Sequence, residues 1–132
     1  MLLVKTKLKQ SKIHGFGLFA DENIPKGEIV WKFSPIVDKI ITKKELAKLP
    51  KLVQKEVKWY SYLSDEGYYV LCGDNARFMN HSNNPTFIEA NHCSKLSFCE
   101  PDAIASRNIN KGEELTGKYL YFDKKGKPHH LK

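Results

Sequence analysis

The sequence predicts a mainly β fold with one short helical insertion, and three observations predict it. Short runs rich in branched and aromatic residues fill the first forty positions and return from Tyr68 to Tyr119. Gly, Pro, Asn and Asp punctuate these runs at turn spacing, as they do between strands. Helical spacing of apolar residues, by contrast, is confined to residues 42–63. With 132 residues the chain suffices for one domain with its own core.

The elements follow in order. Lys5 to Lys9 alternates weakly, as an edge strand does. Gly15-Phe16-Gly17 reads as a turn before the apolar run Leu18-Phe19-Ala20, and Asn23-Ile24-Pro25-Lys26-Gly27 as a second turn. Glu28 to Val37 reads as a strand, with Pro35 marking an edge or an end. Thr42 with Glu45 three residues later forms a capping box that opens a helix, which Pro50 breaks. Leu52, Val53, Val57, Trp59 and Tyr60 then predict a second amphipathic helix. Strands are expected at Tyr68–Cys72, Thr86–Ala90, Leu96–Cys99 and Ala103–Ile109. A turn over Asn110–Glu113 precedes a last strand, Leu115–Tyr119, and residues 124–132 form a polar, basic tail after a single domain spanning 1–123.

Composition excludes several classes. No stretch approaches the roughly 18 apolar residues of a membrane span. The apolar start at Met1–Val4 is too short for a signal peptide, so an intracellular, cytoplasmic protein is expected. The net charge is +7, but the lysines are spread along the chain and no RNA-binding signature accompanies them. A solvated basic surface is the better reading, without a nucleic-acid partner except through a nucleoprotein. Cys72, Cys93 and Cys99 are an odd set without a CxxC pair. They predict neither a disulfide framework nor a metal site.

Two stretches carry the chemistry. Gly15-Phe16-Gly17 lacks the third glycine of a dinucleotide turn. It is either a tight turn with Phe16 in the core or a backbone that lets a ligand come close. Asp74 to Asn84 is polar and turn-rich, interrupted by Phe78 and Met79, and such a stretch between strands suits the lining of a site. Within it Asn80-His81-Ser82 matches the glycosylation pattern, a match expected to be accidental without a signal peptide.

Three separated stretches together resemble the SET-domain family of lysine methyltransferases. They are Lys12-Ile13-His14-Gly15-Phe16-Gly17-Leu18-Phe19-Ala20, then Asn75-Ala76-Arg77-Phe78-Met79-Asn80-His81-Ser82, then Lys111-Gly112-Glu113-Glu114-Leu115-Thr116, followed by Tyr119. The resemblance runs from about Lys7 to Asp123 and implies the family's fold: small packed β-sheets around a C-terminal pseudoknot. It also implies S-adenosylmethionine as cofactor, with no metal, and methyl transfer to the ε-amine of a lysine in a protein substrate, either a histone or a basic non-histone protein. By the same resemblance Gly15, Phe16, Gly17, Arg77, Phe78, Asn80 and His81 bind the cofactor, and Tyr119 is catalytic. Action on chromatin would imply a nuclear location.

Two departures from the family stand out. Many relatives have a cysteine after Asn-His-Ser that joins three others in a C-terminal zinc segment. Here that position is Asn83, and no cysteine follows Tyr119. Another element must then close the lysine channel: Tyr121, Phe122, the basic tail, or a second subunit in a homodimer. Relatives often carry Phe or Tyr at the position of Gly117, where bulk limits the number of methyl groups added, so glycine there predicts more than one methylation unless Tyr68 or Tyr69 fills the gap. The alternative is a SET fold that has lost catalysis and serves as a binding module.

Overall fold

The structure is a computed structural model that describes residues 1–64, 66–91 and 100–118. The expected strand Leu96–Cys99, Tyr119 and the tail lie outside the described residues. Within them the chain forms small sheets. Strands β1 (Thr6–Gln10) and β2 (Phe16–Ala20) pair antiparallel, Gln10 opposite Phe16 and Thr6 opposite Ala20. Strand β9 (Asp102–Ala105) lies between β3 (Ile29–Trp31) and β8 (Phe87–Ala90), and β6 (Tyr69–Leu71) lies between β4 (Lys39–Ile41) and β5 (Ser61–Leu63).

Helix α1 (Lys43–Ala47) starts at the expected capping box: Glu45 N–H donates to Thr42 Oγ1 at 3.1 Å, and Thr42 N–H donates back to the Glu45 carboxylate at 2.8 Å. Helix α2 (Lys51–Tyr60) follows Pro50 and buries no residue fully. Val57 packs on a small cluster of Ile41, Leu46 and Tyr69, while Leu52 and Trp59 remain 72% and 42% exposed.

Three expected boundaries move. The strand expected over Glu28–Val37 ends at Trp31, because Asp38 draws the chain into a turn: its carboxylate accepts from Ser34 N–H at 3.0 Å, Gly73 N–H at 3.3 Å and the Met1 ammonium at 2.7 Å. The helical block ends at Tyr60 rather than 63, since Ser61–Leu63 completes the sheet along β6. Beyond Ala105 the chain leaves its strand and meets Ile24 only through Ile109, an isolated bridge.

The main core is Leu18, Ala20, Ile24, Val30, Ala105, Ile109 and Leu115, and a second cluster holds Trp31, Cys72, Ala76, Phe87 and Ala103. Strand β10 (Thr116–Gly117) runs parallel to β7 (Asn80–His81). Ser82 N–H donates to Gly117 O at 2.9 Å, and on the other side Thr86 N–H donates to Thr116 O at 3.0 Å. The 80–86 loop thus grips the incoming strand from both sides, the threading expected of a C-terminal pseudoknot. Among the described residues no helix is long and apolar enough to cross a membrane.

Candidate active site

Ser11 and Gly15 close the turn that enters β2, Ser11 N–H donating to Gly15 O at 2.7 Å. Gly15 has φ +46°, a left-handed conformation that glycine adopts without strain. The Ser11 hydroxyl accepts from Ile13 N–H at 2.9 Å and donates to the Glu114 carboxylate at 2.9 Å. Glu114 itself is bridged by its backbone to Phe19 of β2.

Asn80 joins the three motifs. It is 5% exposed, and its amide nitrogen lies 3.1 Å from His14 O, 3.1 Å from Phe16 O and 2.9 Å from Glu114 Oε1. Three acceptors around one atom require that it be the NH2 end, which settles the orientation of the side chain. Main-chain carbonyls on both sides of Gly15 are satisfied in this way, and the turn is tied to β7 and to Glu114 just ahead of β10.

The two glycines do different work. A Cβ at Gly15 would meet nothing within 4 Å, so the backbone there faces open space. A Cβ at Gly17 would lie 2.1 Å from Glu114 Oε1 and 3.0 Å from Ser11 Cβ. Gly17 is therefore bare to admit the Glu114 carboxylate, an internal partner. Phe16 is 59% exposed, against the alternative in which the turn packs it into the core.

Aromatic groups form the adjoining wall. His14 and Trp59 have ring centroids 6.2 Å apart. Tyr60 meets Phe78 edge-on at 5.9 Å, and the Arg77 guanidinium lies 5.8 Å from the Tyr60 ring and 5.7 Å from that of Phe78. Arg77 and Phe78 lie on a 3-10 helix (Asn75–Phe78) capped by Asp74, whose carboxylate accepts from Ala76 N–H at 3.0 Å. His81 lies in β7 opposite Gly117, half-buried. The structure thus gathers Gly15, Phe16, Gly17 and Asn80 in one hydrogen-bonded cluster, with Arg77 and Phe78 in the stack beside it. Tyr119 follows β10 outside the described residues. Sequence reasoning assigned no role to Ser11, Glu114, Trp59 or Tyr60 in this site. Glu114 was visible only as a motif residue, and nothing local marked its contact with Gly17.

The SET-domain sequence profile matches residues 15–120, which include every part of this cluster except Ser11, Ile13 and His14. The chain belongs to the SET-domain family. Its relatives include the H3 lysine-36 specific histone-lysine N-methyltransferase of Candida albicans, 26% identical over 87% of this chain and 14% of that protein. Histone-lysine N-methyltransferase 2B of Homo sapiens is 34% identical over 85% of this chain and 4% of its own length. A candidate histone-lysine N-methyltransferase of Arabidopsis thaliana is 30% identical over 89% of this chain and 34% of its own length. The chain therefore spans about a third or less of these relatives. The crystal structure of a candidate histone methyltransferase from Plasmodium falciparum superposes with a TM-score of 0.63 at 24% identity, covering 89% of this chain and 95% of that one, a likeness of fold. The family is one of lysine methyltransferases and normally uses S-adenosylmethionine. Among the described residues no group of three or more His, Cys, Asp and Glu side chains could hold a metal.

Proposed function

We propose that this SET domain transfers a methyl group from S-adenosylmethionine to the ε-amine of a lysine in a protein substrate inside the cell. The observation that carries the proposal is the Asn80 amide holding the glycine turn against Glu114, beside the open backbone at Gly15. These residues fit the cofactor. Open space at Gly15 admits its amino-acid end, and the exposed faces of Phe16 and Trp59 offer apolar surface to its adenosine. Asn80, His81 and the backbone of Gly15 to Gly17 would hold it, with Arg77 and Phe78 supporting the wall.

The bound cofactor supplies an electrophilic methyl on a sulfonium. The chain's contribution is position, because an in-line displacement needs the amine aligned with the leaving sulfur. The attacking lysine must be neutral, and near pH 7.4 only about one in a thousand is, equivalent to about 4 kcal/mol. An apolar channel lowers that cost by disfavouring the ammonium. The Tyr119 hydroxyl would orient the amine.

Mass spectrometry of a lysine-rich protein incubated with enzyme and cofactor tests the reading. Wild type should add methyl groups to lysine, more than one per side chain given the bare Gly117. Tyr119→Phe should lower turnover by about a hundredfold while leaving cofactor affinity nearly unchanged. Equal turnover by both proteins would remove Tyr119 from the mechanism, and strictly monomethyl product would remove the role given to Gly117.

A further inference from the structure

Lysines occur along the whole chain, but the net charge is concentrated. Between Lys39 and Lys58 there are seven lysines and two glutamates, so +5 of the chain's +7 lies in 20 residues. All seven lysines are exposed. Outside the described residues the chain has only two acidic side chains, Asp65 and Asp123, too few to neutralise this segment.

The segment is that of α1 and α2. Helix α2 turns Gln54, Val57 and Tyr60 inward, half-buried at three-residue steps. Lys51, Lys55 and Lys58 recur at steps of four and three on another stripe that faces solvent. The Gln54 amide donates to Leu49 O at 2.7 Å, which fixes the start of α2 against the end of α1 and its exposed pair, Lys44 and Lys48.

This arrangement does not serve the helices. Like charges three or four positions apart destabilise a helix, and Lys44 with Lys48, Lys51 with Lys55, and Lys55 with Lys58 are such pairs. Lys51 also opens α2, where the helix dipole disfavours a cation, and no acid occupies the first turn. The two glutamates relieve little of this. The Glu45 carboxylate is held by Thr42 N–H at 2.8 Å, with Lys39 and Lys48 as its nearby charges. The positions three and four away from Glu56 are Leu52, Val53, Trp59 and Tyr60, none of them basic. Among the described residues Lys44, Lys48, Lys51 and Lys55 form no salt bridge.

We infer that the lysine face of α1 and α2 binds the phosphate backbone of duplex DNA, so that the substrate class of this domain is protein carried on DNA. The clause about substrate rests on the methyltransferase reading. Lys51 to Lys58 spans about 10 Å of helix, the length of about three phosphates along one strand of a duplex. The segment has no arginine, and its one amide, Gln54, is committed to Leu49 O. It therefore offers cations to phosphates but no group to read base edges or 2′-hydroxyls. A membrane fits less well, because an interfacial helix gives its apolar face to lipid and α2 turns Val57 and Tyr60 into the protein. Helix α2 also ends in the wall of the candidate site, Trp59 against His14 and Tyr60 against Phe78, so DNA on its outer face lies beside that site.

Fluorescence anisotropy of the full chain with a short labelled duplex DNA, repeated across salt concentrations, tests the inference. Binding should be independent of sequence and fall steeply with salt. Replacing Lys48, Lys51 and Lys55 together by glutamine should weaken it at least about tenfold and lower the slope of log K against log salt by about three. Glutamine keeps helix propensity at these exposed positions, so the fold survives. Lys5→Gln, Lys26→Gln and Lys32→Gln together remove the same charge from other surfaces and should change binding less than about threefold. Absence of binding, binding without salt dependence, or equal losses in the two triple variants would overturn the inference. So would tighter binding to duplex RNA, polyglutamate or phosphatidylserine vesicles than to DNA. Methylation of core histones, free and assembled on DNA, tests the substrate class. The α1–α2 variant should lose rate about tenfold on the DNA-borne protein alone, and equal rates for variant and wild type there would remove that class. S-adenosylmethionine titrated in parallel separates the two claims. Cofactor binding without DNA binding sinks the lysine face alone, and DNA binding without cofactor binding sinks the methyltransferase reading alone.

Discussion

At the scale of single residues, the site depends on Gly17 having no side chain. Its Cβ would fall 2.1 Å from Glu114 Oε1, so alanine must expel a carboxylate that also accepts from Ser11 and Asn80. Gly17→Ala should destabilise the fold by about 1–3 kcal/mol. In a Glu114→Ala background the same substitution should cost less than half as much, because the clashing atoms are gone. Chemical denaturation of the four proteins checks this, and an unchanged cost in both backgrounds would show that Glu114 is not what Gly17 accommodates. Little of this was legible beforehand. The amide of Asn80 reaches partners 66, 64 and 34 positions away, and periodicity carries no information over such separations. Only the family resemblance assembled those residues in advance. It implied that both glycines serve a ligand; the geometry leaves open space at Gly15 and seats the Glu114 carboxylate where a side chain at Gly17 would lie.

At the scale of elements, what was readable was what is local. Thr42 and Glu45 lie one helical turn apart, so their reciprocal hydrogen bonds follow from spacing alone. Thr42→Ala should lower stability by about 1 kcal/mol with the site intact, measured as a shifted denaturation midpoint with an unchanged slope. Where a distant group ends an element, the reading overran. The strand after Glu28 stops because Asp38 collects Ser34, Gly73 and Met1, and α2 stops because β6 needs an edge partner at Ser61–Leu63. Both decisions are made by residues outside the element itself. The strands that remain are short, yet their pairing places β7, β10 and the glycine turn within reach of one amide.

At the scale of the whole molecule, the buried phenols make stability depend on alkaline pH. Burial, then the Glu100 charge, raises the Tyr68 phenol from its usual 10.0 to about 12, and Tyr62 moves in the same direction. A group whose pKa is raised by folding favours the protonated form in the fold. Its contribution is fully present below the unfolded value near 10 and is lost as pH rises toward about 12. Denaturation midpoints should therefore fall more steeply between those values for wild type than for Tyr68→Phe. Parallel curves would contradict the burial of that hydroxyl against Glu100.

The same long-range organisation carries the functional claim, since one amide joins the glycine turn, the 80–86 loop and the residue leading into β10. Calorimetric titration with S-adenosylmethionine tests that claim most directly. Wild type should bind the cofactor at a single site, and Asn80→Ala, compared at a temperature where it remains folded, should bind at least about tenfold more weakly. Absence of binding by the wild type, or equal binding by both proteins, would contradict the account.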